Sequence, residues 1–196
     1  FGIVIHGGAG TILKKNMSDS LEIAYKEKLT EAISVGHEIL KNGGTAMEAV
    51  TKTINILEDS PLFNAGKGAV FTHEETNELD ASVMDGANLN AGAVAGVSRI
   101  KNPIDLAVQV MNNSDHVMLS GKGAEVFAET RGIELIDPAY FYTENRFQAL
   151  KKIKQREIQN ATKAVSYQND PFIKNSKFGT VGCAALHKNG NLAAGT

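Results

Sequence analysis

The sequence has little cysteine, and it lacks the long apolar runs and charge blocks that mark several protein classes. Its one cysteine, Cys183, excludes a disulfide within the chain and a zinc site built from several cysteines. No apolar run approaches the ~20 residues that a helix needs to cross a bilayer. Acidic and basic residues are interspersed, with a formal net charge of −2. We therefore expect neither a membrane nor a nucleic acid as partner, and a cytoplasmic location.

Two common nucleotide-binding patterns are also missing, although glycine is abundant near the start. Residues 6–10 read HGGAG directly after an apolar stretch. This is not the spaced glycine pattern of a dinucleotide fold, and no Gly-Lys-Ser/Thr follows as in a phosphate-binding loop. The turn is expected to approach another segment closely or to present backbone amides to an anion. His6 at the strand end is more typical of a structural histidine than of a ligand or base.

The composition indicates one soluble globular domain with enough apolar residues for a core. Of the 196 residues, 42% are hydrophobic and 21% are charged. The chain begins at Phe1 rather than Met and ends at Thr196 soon after an apolar stretch. We expect it to be a piece of a longer protein.

Helix signals occur in five places, one of which is the short stretch 123–130 that ends at Gly132. Ser18 or Asp19 is expected to cap a helix that ends at Gly43-Gly44, and Thr45 with Glu48 forms a capping box for the next one. Asn102-Pro103 is typical of a helix start, with Asn as the cap. Residues 138–154 read as a helix with a break near Thr143, and residues 151–177 are polar, which predicts an exposed, mobile stretch.

Strand signals alternate with these helices. Residues 69–72 and 78–86 are predicted to form a hairpin, and residues 90–97 form a strand rich in small residues. The strand at 180–186 is followed by Asn189-Gly190, a tight-turn signal, and a return strand. The two helices that follow the first strand and the two that precede the last hairpin are expected to cover opposite faces of stacked sheets. This order predicts a layered α+β sandwich.

A candidate nucleophile stands at the start of the last hairpin. Gly179-Thr180 lies at the entrance of an apolar strand, where the Thr hydroxyl can attack the preceding carbonyl carbon and produce a new N-terminal threonine after hydrolysis. A free α-amine has a pKa of roughly 7.7 to 8, which suits a general base acting on the neighbouring hydroxyl. Taken alone, Gly-Thr-Val is also an ordinary way to enter a strand.

The loop after the second predicted helix is a candidate cation site. Residues 57–68 contain a helix end, a proline and two glycines, which together leave several carbonyls without helical partners. Hard cations bind such oxygens. A plain helix-to-strand loop is the alternative on local sequence. Asn64 is the side chain of this loop best placed to face a site.

Five stretches together resemble the plant-type L-asparaginases, also called isoaspartyl or β-aspartyl peptidases, within the N-terminal nucleophile hydrolases. They occur in the family's order and cover nearly the whole chain. The stretches are IHGGAG (5–10), PLFNAGKGAV (61–70), ELDASVMDG (78–86), AGAVAGV (91–97) and GTVGCAA with GNLAA (179–185 and 190–194).

This resemblance implies a four-layer αββα sandwich made as one precursor. Cleavage between Gly179 and Thr180 would give an α subunit, residues 1–179, and a β subunit of which residues 180–196 are the start. Thr180 would be the nucleophile toward the side-chain amide of L-asparagine and toward β-aspartyl dipeptides, with Asn64 beside it. Two such precursors are expected to assemble as (αβ)2.

The resemblance also implies a structural sodium ion and places other functions downstream. The sodium ion would be bound by backbone carbonyls of the loop, namely those of Leu57, Glu58, Ser60, Phe63, Ala65 and Lys67. The further site threonines, the oxyanion hole and the groups that bind the substrate's α-carboxylate and α-amine are expected after Thr196.

Three alternatives stay open at the level of sequence. Glycosylasparaginases and threonine aspartases of the same superfamily share the nucleophile. A non-catalytic module could use the turn at residues 6–10 to bind a small anion. An uncleaved, inactive homologue could retain the scaffold alone.

Overall fold

The computed structural model describes residues 1–8, 17–161 and 180–196. Five α-helices and six strands occur in these ranges. Gly179, and with it one side of the predicted cleavage site, lies outside the described residues, as do Ala9 and Gly10 of the glycine-rich turn. The fold is a mixed α+β arrangement around one sheet.

The helices begin where the sequence provides caps. The Ser18 side chain accepts a hydrogen bond from the Leu21 N–H at the start of α1, and Thr45 and Glu48 form the predicted reciprocal capping box of α2. A break separates a 3₁₀ turn, Pro138–Phe141, from the last helix, as predicted near Thr143. The helices are α1 Asp19–Lys41, α2 Ala46–Glu58, α3 Pro103–Asn113, α4 Gly121–Thr130 and α5 Glu144–Ala161.

The strands form a single six-stranded sheet in the order β1-β5-β6-β2-β3-β4. All neighbours are antiparallel except β3 and β4, which are parallel. The strands from the end of the chain therefore lie between β1 and β2. The strands are β1 Gly2–His6, β2 Leu79–Asp85, β3 Ala91–Val97, β4 Met118–Ser120, β5 Gly182–Leu186 and β6 Leu192–Gly195.

One face of the sheet packs against helices, and we call it the covered face. A Cβ at Gly195 would contact both α2, at Val50 and Ile54, and α3, at Ile104. These two helices thus share one face, and the core lies between them and the sheet. The register places on this face a row that runs across five strands: Ile5, Cys183, Gly195, Val83 and Gly92.

The opposite face, which we call the open face, carries the alternate residues of the same strands. Its row is Val4, Ala184, Ala194, Met84 and Ala91. Val4 is 65% exposed and Met84 is 45% exposed. Among the described elements, none of the helices packs against this face closely enough to bury these two apolar side chains.

Three predictions about strands, layers and mobility were wrong. Residues 69–72 are not a strand, because the Asn77 side chain donates to the carbonyls of Ala69 and Val70 and β2 pairs with β3 and β6 instead. The helices after the first strand and the later helices were predicted to cover opposite faces, but α2 and α3 pack on the same face of the sheet. Residues 151–161 belong to α5 rather than to a mobile stretch, and Lys154 Nζ lies 2.8 Å from Glu75 Oε1. The rest of the predicted mobile stretch, residues 162–177, lies outside the described residues.

Candidate active site

Thr180 stands at the entrance of β5, with its side chain exposed. Val181 is 1% exposed and is part of the core, and Gly182 begins the strand opposite His6. The alternation of the strand continues through these residues, so that Val181 anchors the chain while Thr180 faces the open side. The predicted nucleophile is therefore accessible, and its backbone is fixed by a buried neighbour.

The Thr180 hydroxyl lies next to a second threonine hydroxyl from the end of the hairpin. The two oxygens, Thr180 Oγ1 and Thr196 Oγ1, are 3.2 Å apart. Thr196 Oγ1 donates to the Val181 carbonyl at 2.8 Å. The hairpin of β5 and β6 thus brings together two hydroxyls that are 16 residues apart in sequence.

The glycine pair after β1 links Thr180 to the candidate cation loop. A Cβ at Gly8 would lie 3.8 Å from the Thr180 carbonyl oxygen. A Cβ at the preceding Gly7 would lie 3.1 Å from the Phe63 ring and from Leu29. The two glycines therefore contact the loop that contains Asn64 on one side and the chain at Thr180 on the other.

The loop after α2 folds tightly on itself around two glycines. A Cβ at Gly66, where φ is +47°, would lie 2.4 Å from the Glu58 carbonyl oxygen. A Cβ at Gly68 would lie 2.1 Å from the Phe63 carbonyl oxygen and 2.7 Å from that of Pro61. These carbonyl oxygens lie directly against the two glycines, and only glycine allows such close approach.

An oxygen-liganded cation is compatible with this arrangement. The carbonyls of Glu58 and Phe63, which lie against Gly66 and Gly68, are among the six predicted ligands. Those of Leu57 and Ala65 accept the N–H groups of Ser60 and Gly68. Within residues 1–8, 17–161 and 180–196, no cluster of three or more His, Cys, Asp or Glu side chains could hold a metal. A cation here would therefore rely on backbone oxygens, which sodium accepts.

The Glu58 side chain, unlike its carbonyl, connects the loop to α3. It is 3% exposed, and Glu58 Oε1 accepts the Ile104 N–H at 3.1 Å while Oε2 accepts from Asn102 Nδ2 at 3.0 Å. Asn102 was predicted to cap α3 itself, but its side chain makes no cap bond, and Glu58 supplies the acceptor instead. Burial raises the pKa of Glu58 to about 8, against the lowering effect of the bonds from Asn102 and Ile104.

The far end of the loop is held by α5 and by the segment that leads into it. Asn64 Oδ1 accepts the Val70 N–H at 2.9 Å. Arg146 Nε donates to the Gly68 carbonyl at 2.8 Å, and burial lowers the pKa of this arginine. Lys67 Nζ donates to the Tyr140 carbonyl and lies 4.4 Å from the centre of its ring. Asn64 is thus carried by a loop that is fixed at both ends.

Cys183 is buried in β5, as predicted, and faces the helices rather than the site. It is 4% exposed, and burial raises its pKa to about 11. A thiol with so high a pKa is almost wholly protonated near neutral pH and is a poor nucleophile.

Sequence reasoning missed three residues of this region: the Glu58 side chain, Arg146 and Thr196. Each acts on a partner that is distant in sequence or across a hairpin, so no local pattern marks it. The Asn-Gly turn signal of the last hairpin was the one available indication that Thr196 returns toward Thr180.

Comparison with known proteins shows the family of the chain. A sequence profile described as asparaginase matches residues 1–196. The chain belongs to the asparaginase family. This asparaginase-family chain is 47% identical to the isoaspartyl peptidase of Escherichia coli over 194 residues, which are 99% of the chain and 59% of that protein. It is 40% identical to the isoaspartyl peptidase/L-asparaginase of Mus musculus over 194 residues, 99% of the chain and 55% of that protein.

A third relative comes from an archaeon. The plant-type L-asparaginase of Pyrococcus horikoshii is 42% identical over 161 residues, 82% of the chain and 50% of that protein. The chain thus spans between half and about three fifths of the lengths of these three relatives. Among the described residues of this family member, no helix is both long and apolar enough to cross a membrane.

Proposed function

We propose that the full-length protein is a self-cleaving threonine hydrolase that acts on L-asparagine and β-aspartyl dipeptides. The observation that carries the proposal is the exposed Thr180 hydroxyl, which stands at the entrance of β5 on a backbone anchored by Val181. Family membership and the names of the relatives support the substrate class.

Activation would proceed by an N→O acyl shift. Thr180 Oγ attacks the Gly179 carbonyl carbon, the Oγ–C bond forms and the C–N bond breaks, and the hydroxyl proton ends on the nitrogen. Water then cleaves the ester. The products are residues 1–179 and a chain whose first residue is Thr180, now with a free α-amine beside its hydroxyl.

Catalysis would use the same oxygen a second time. The α-amine, with an ordinary pKa of roughly 7.7 to 8, takes the Thr180 hydroxyl proton as Oγ attacks the side-chain amide carbon of the substrate. That proton passes to the leaving ammonia or peptide amine. Water then hydrolyses the β-aspartyl ester on Thr180 and releases aspartate.

The open face is the place where we propose that downstream residues pack. Thr180, Thr196 and the exposed apolar side chains Val4 and Met84 all lie there. A second sheet with its helices on this face would complete a four-layer αββα sandwich. It would bury these apolar side chains and add the oxyanion-hole and substrate-binding groups that we expect after Thr196.

We also propose a sodium ion in the loop of Leu57–Lys67, with a stabilising rather than a catalytic role. The tight turn that brings the carbonyls of Glu58 and Phe63 against Gly66 and Gly68 supports it. Replacing NaCl by choline chloride at constant ionic strength should lower the melting temperature of the full-length protein, because the ion binds the folded loop alone. An unchanged melting temperature from zero to 150 mM sodium, roughly the physiological ionic strength, would contradict the proposal.

Assembly as (αβ)2 and a cytoplasmic location stay predictions of the resemblance and the sequence. Sedimentation of the cleaved full-length protein checks the first, since two precursors' worth of chains should move together. Cell fractionation checks the second.

Activity assays test the catalytic proposal. Wild-type full-length protein should release ammonia from L-asparagine and split a β-aspartyl dipeptide, whereas Thr180→Ala should do neither and Thr180→Ser should retain part of both activities. Faster turnover of glycosylated asparagine than of both other substrates would favour the glycosylasparaginase alternative. Full activity of Thr180→Ala would reject the nucleophile.

A further inference from the structure

The Thr196 hydroxyl is held in place by its strand. Its backbone N–H donates to the Ser82 carbonyl, and its carbonyl accepts the Ser82 N–H, both at 2.9 Å. This two-way pairing continues the β2–β6 ladder by one residue beyond Gly195. The side chain therefore projects from a fixed backbone on the open face, as the side chain of Ser82 does.

The directions of the hydrogen bonds around Thr196 follow from their acceptors. The Val181 carbonyl can only accept, and Thr196 Oγ1 lies 2.8 Å from it, so the Thr196 proton is used in that bond. In the contact between the two hydroxyls, at 3.2 Å, Thr180 must then be the donor. The carbonyl of Val181 is a longer alternative for the Thr180 proton, at 3.4 Å.

We propose that Thr196 is a positioning residue for Thr180, and that it acts mainly in self-cleavage; this inference rests on the proposed role of Thr180 as nucleophile. By accepting the hydrogen bond from the Thr180 hydroxyl, Thr196 holds the Thr180 side chain in one rotamer. The lone pairs of Thr180 Oγ1 then point away from Thr196. Those lone pairs are the electrons that form the bond to the Gly179 carbonyl carbon.

The importance of Thr196 should differ between the two reactions. Before cleavage the nitrogen of Thr180 is an amide, which is no base, and among the described residues Thr196 is the side chain that lies within hydrogen-bond distance of the hydroxyl. After cleavage the α-amine takes over the proton. Loss of the Thr196 hydroxyl should therefore slow cleavage more than turnover.

The test compares Thr196→Val with Thr196→Ser in the full-length protein. Valine keeps the shape and removes the hydroxyl, whereas serine keeps the hydroxyl. We expect Val to slow the appearance of cleaved chains about 5- to 10-fold, the factor that one neutral hydrogen bond supplies. The kcat and KM of the Val protein, measured after cleavage is complete, should each change less than about 3-fold. Ser should restore the cleavage rate.

Ser82→Ala is the matched control. It lies on the same face, its backbone makes the same pairing, and no hydrogen bond joins its side chain to Thr180 among the described residues. Its cleavage rate should equal that of the wild type. The melting temperatures of all variants are measured as well, because a variant that cleaves slowly but melts like the wild type has lost positioning and not stability.

Each remaining outcome counts against the inference. Cleavage of Thr196→Val at the wild-type rate, or equally slow cleavage of the Val and Ser proteins, would overturn the role of Thr196 and leave Thr180 as nucleophile. A wild-type protein that never cleaves would overturn both the proposed activation and the inference that rests on it.

Discussion

The two faces of the sheet carry different tasks, although they are built from alternate residues of the same strands. On the covered face, Val83 and Cys183 are at most 4% exposed and pack under α2 and α3. On the open face, Met84 is 45% exposed and Thr180 presents a hydroxyl. A strand period of two thus lets one segment stabilise the fold and carry the candidate chemistry at once.

The difference teaches why Thr180 can be both accessible and rigid. Its neighbour Val181 is 1% exposed and belongs to the core, so the backbone of the candidate nucleophile is fixed from the covered side. A nucleophile that must attack a neighbouring carbonyl needs such fixed geometry. The following substitutions test whether the covered face stabilises the fold while the open face carries the candidate chemistry.

The largest effect is expected on the covered face, where β3 touches α3. A Cβ at Gly92 would lie 2.2 Å from the Ala107 carbonyl oxygen and 2.5 Å from the Met111 nitrogen, so Gly92→Ala must separate strand and helix. We expect a loss of about 3 kcal/mol in the free energy of unfolding, measured in urea on the full-length protein. Gly2→Ala is the control, since no atom lies within 4 Å of its Cβ position.

A large effect is also expected on the open face if downstream residues cover it. Met84→Lys in the full-length protein would then bury an ammonium group, and we expect a loss of about 2 kcal/mol or more in the free energy of unfolding. Met84→Leu should stay close to the wild type. A Lys protein within ~0.5 kcal/mol of the wild type, as at ordinary surface sites, would show that this position stays exposed and would count against the four-layer proposal.

A smaller effect is expected where α5 holds the candidate cation loop. Arg146→Ala removes the donor to the Gly68 carbonyl and should cost about 1 to 2 kcal/mol of stability. The sodium concentration that gives half of the thermal stabilisation should rise, because the loop closes less readily. Lys152→Ala, at an exposed position of the same helix, is the control. If both variants reach half of the thermal stabilisation at the same sodium concentration, Arg146 does not stabilise the cation loop.

The smallest effect on stability is expected at Cys183, where the test changes no residue and measures only whether a thiol reagent reaches the covered face. Burial raises its pKa to about 11, so below that pH the native thiol is protonated as well as shielded. Iodoacetamide at pH 8 should therefore modify the native protein far more slowly than the urea-unfolded protein. Comparable rates in the two states would mean that β5 opens readily.

The parts of the fold that the sequence predicted are those with strong local signals. Ser18 and the Thr45–Glu48 capping box mark the starts of α1 and α2, and Asn189-Gly190 marks the turn between β5 and β6. Thr180 was predictable as a candidate because its chemistry depends on its own neighbour in sequence.

What the sequence did not predict depends on distant partners. Residues 69–72 have strand-like composition, but the side chains of Asn64 and Asn77 bind the backbone of Val70. The cap of α3 comes from Glu58, 46 residues before Ile104. Helical periodicity shows that a helix has an apolar face, but it does not say which side of the sheet that face will cover.

The most direct test of the account is an intact mass spectrum of the full-length protein, under denaturing conditions after several days at neutral pH, beside Thr180→Ala. We expect two fragments from the wild type, one beginning at Thr180, and a single uncut chain from the mutant. A single uncut chain from both proteins, or cleavage at another bond, would contradict the assignment of Thr180 as the nucleophile.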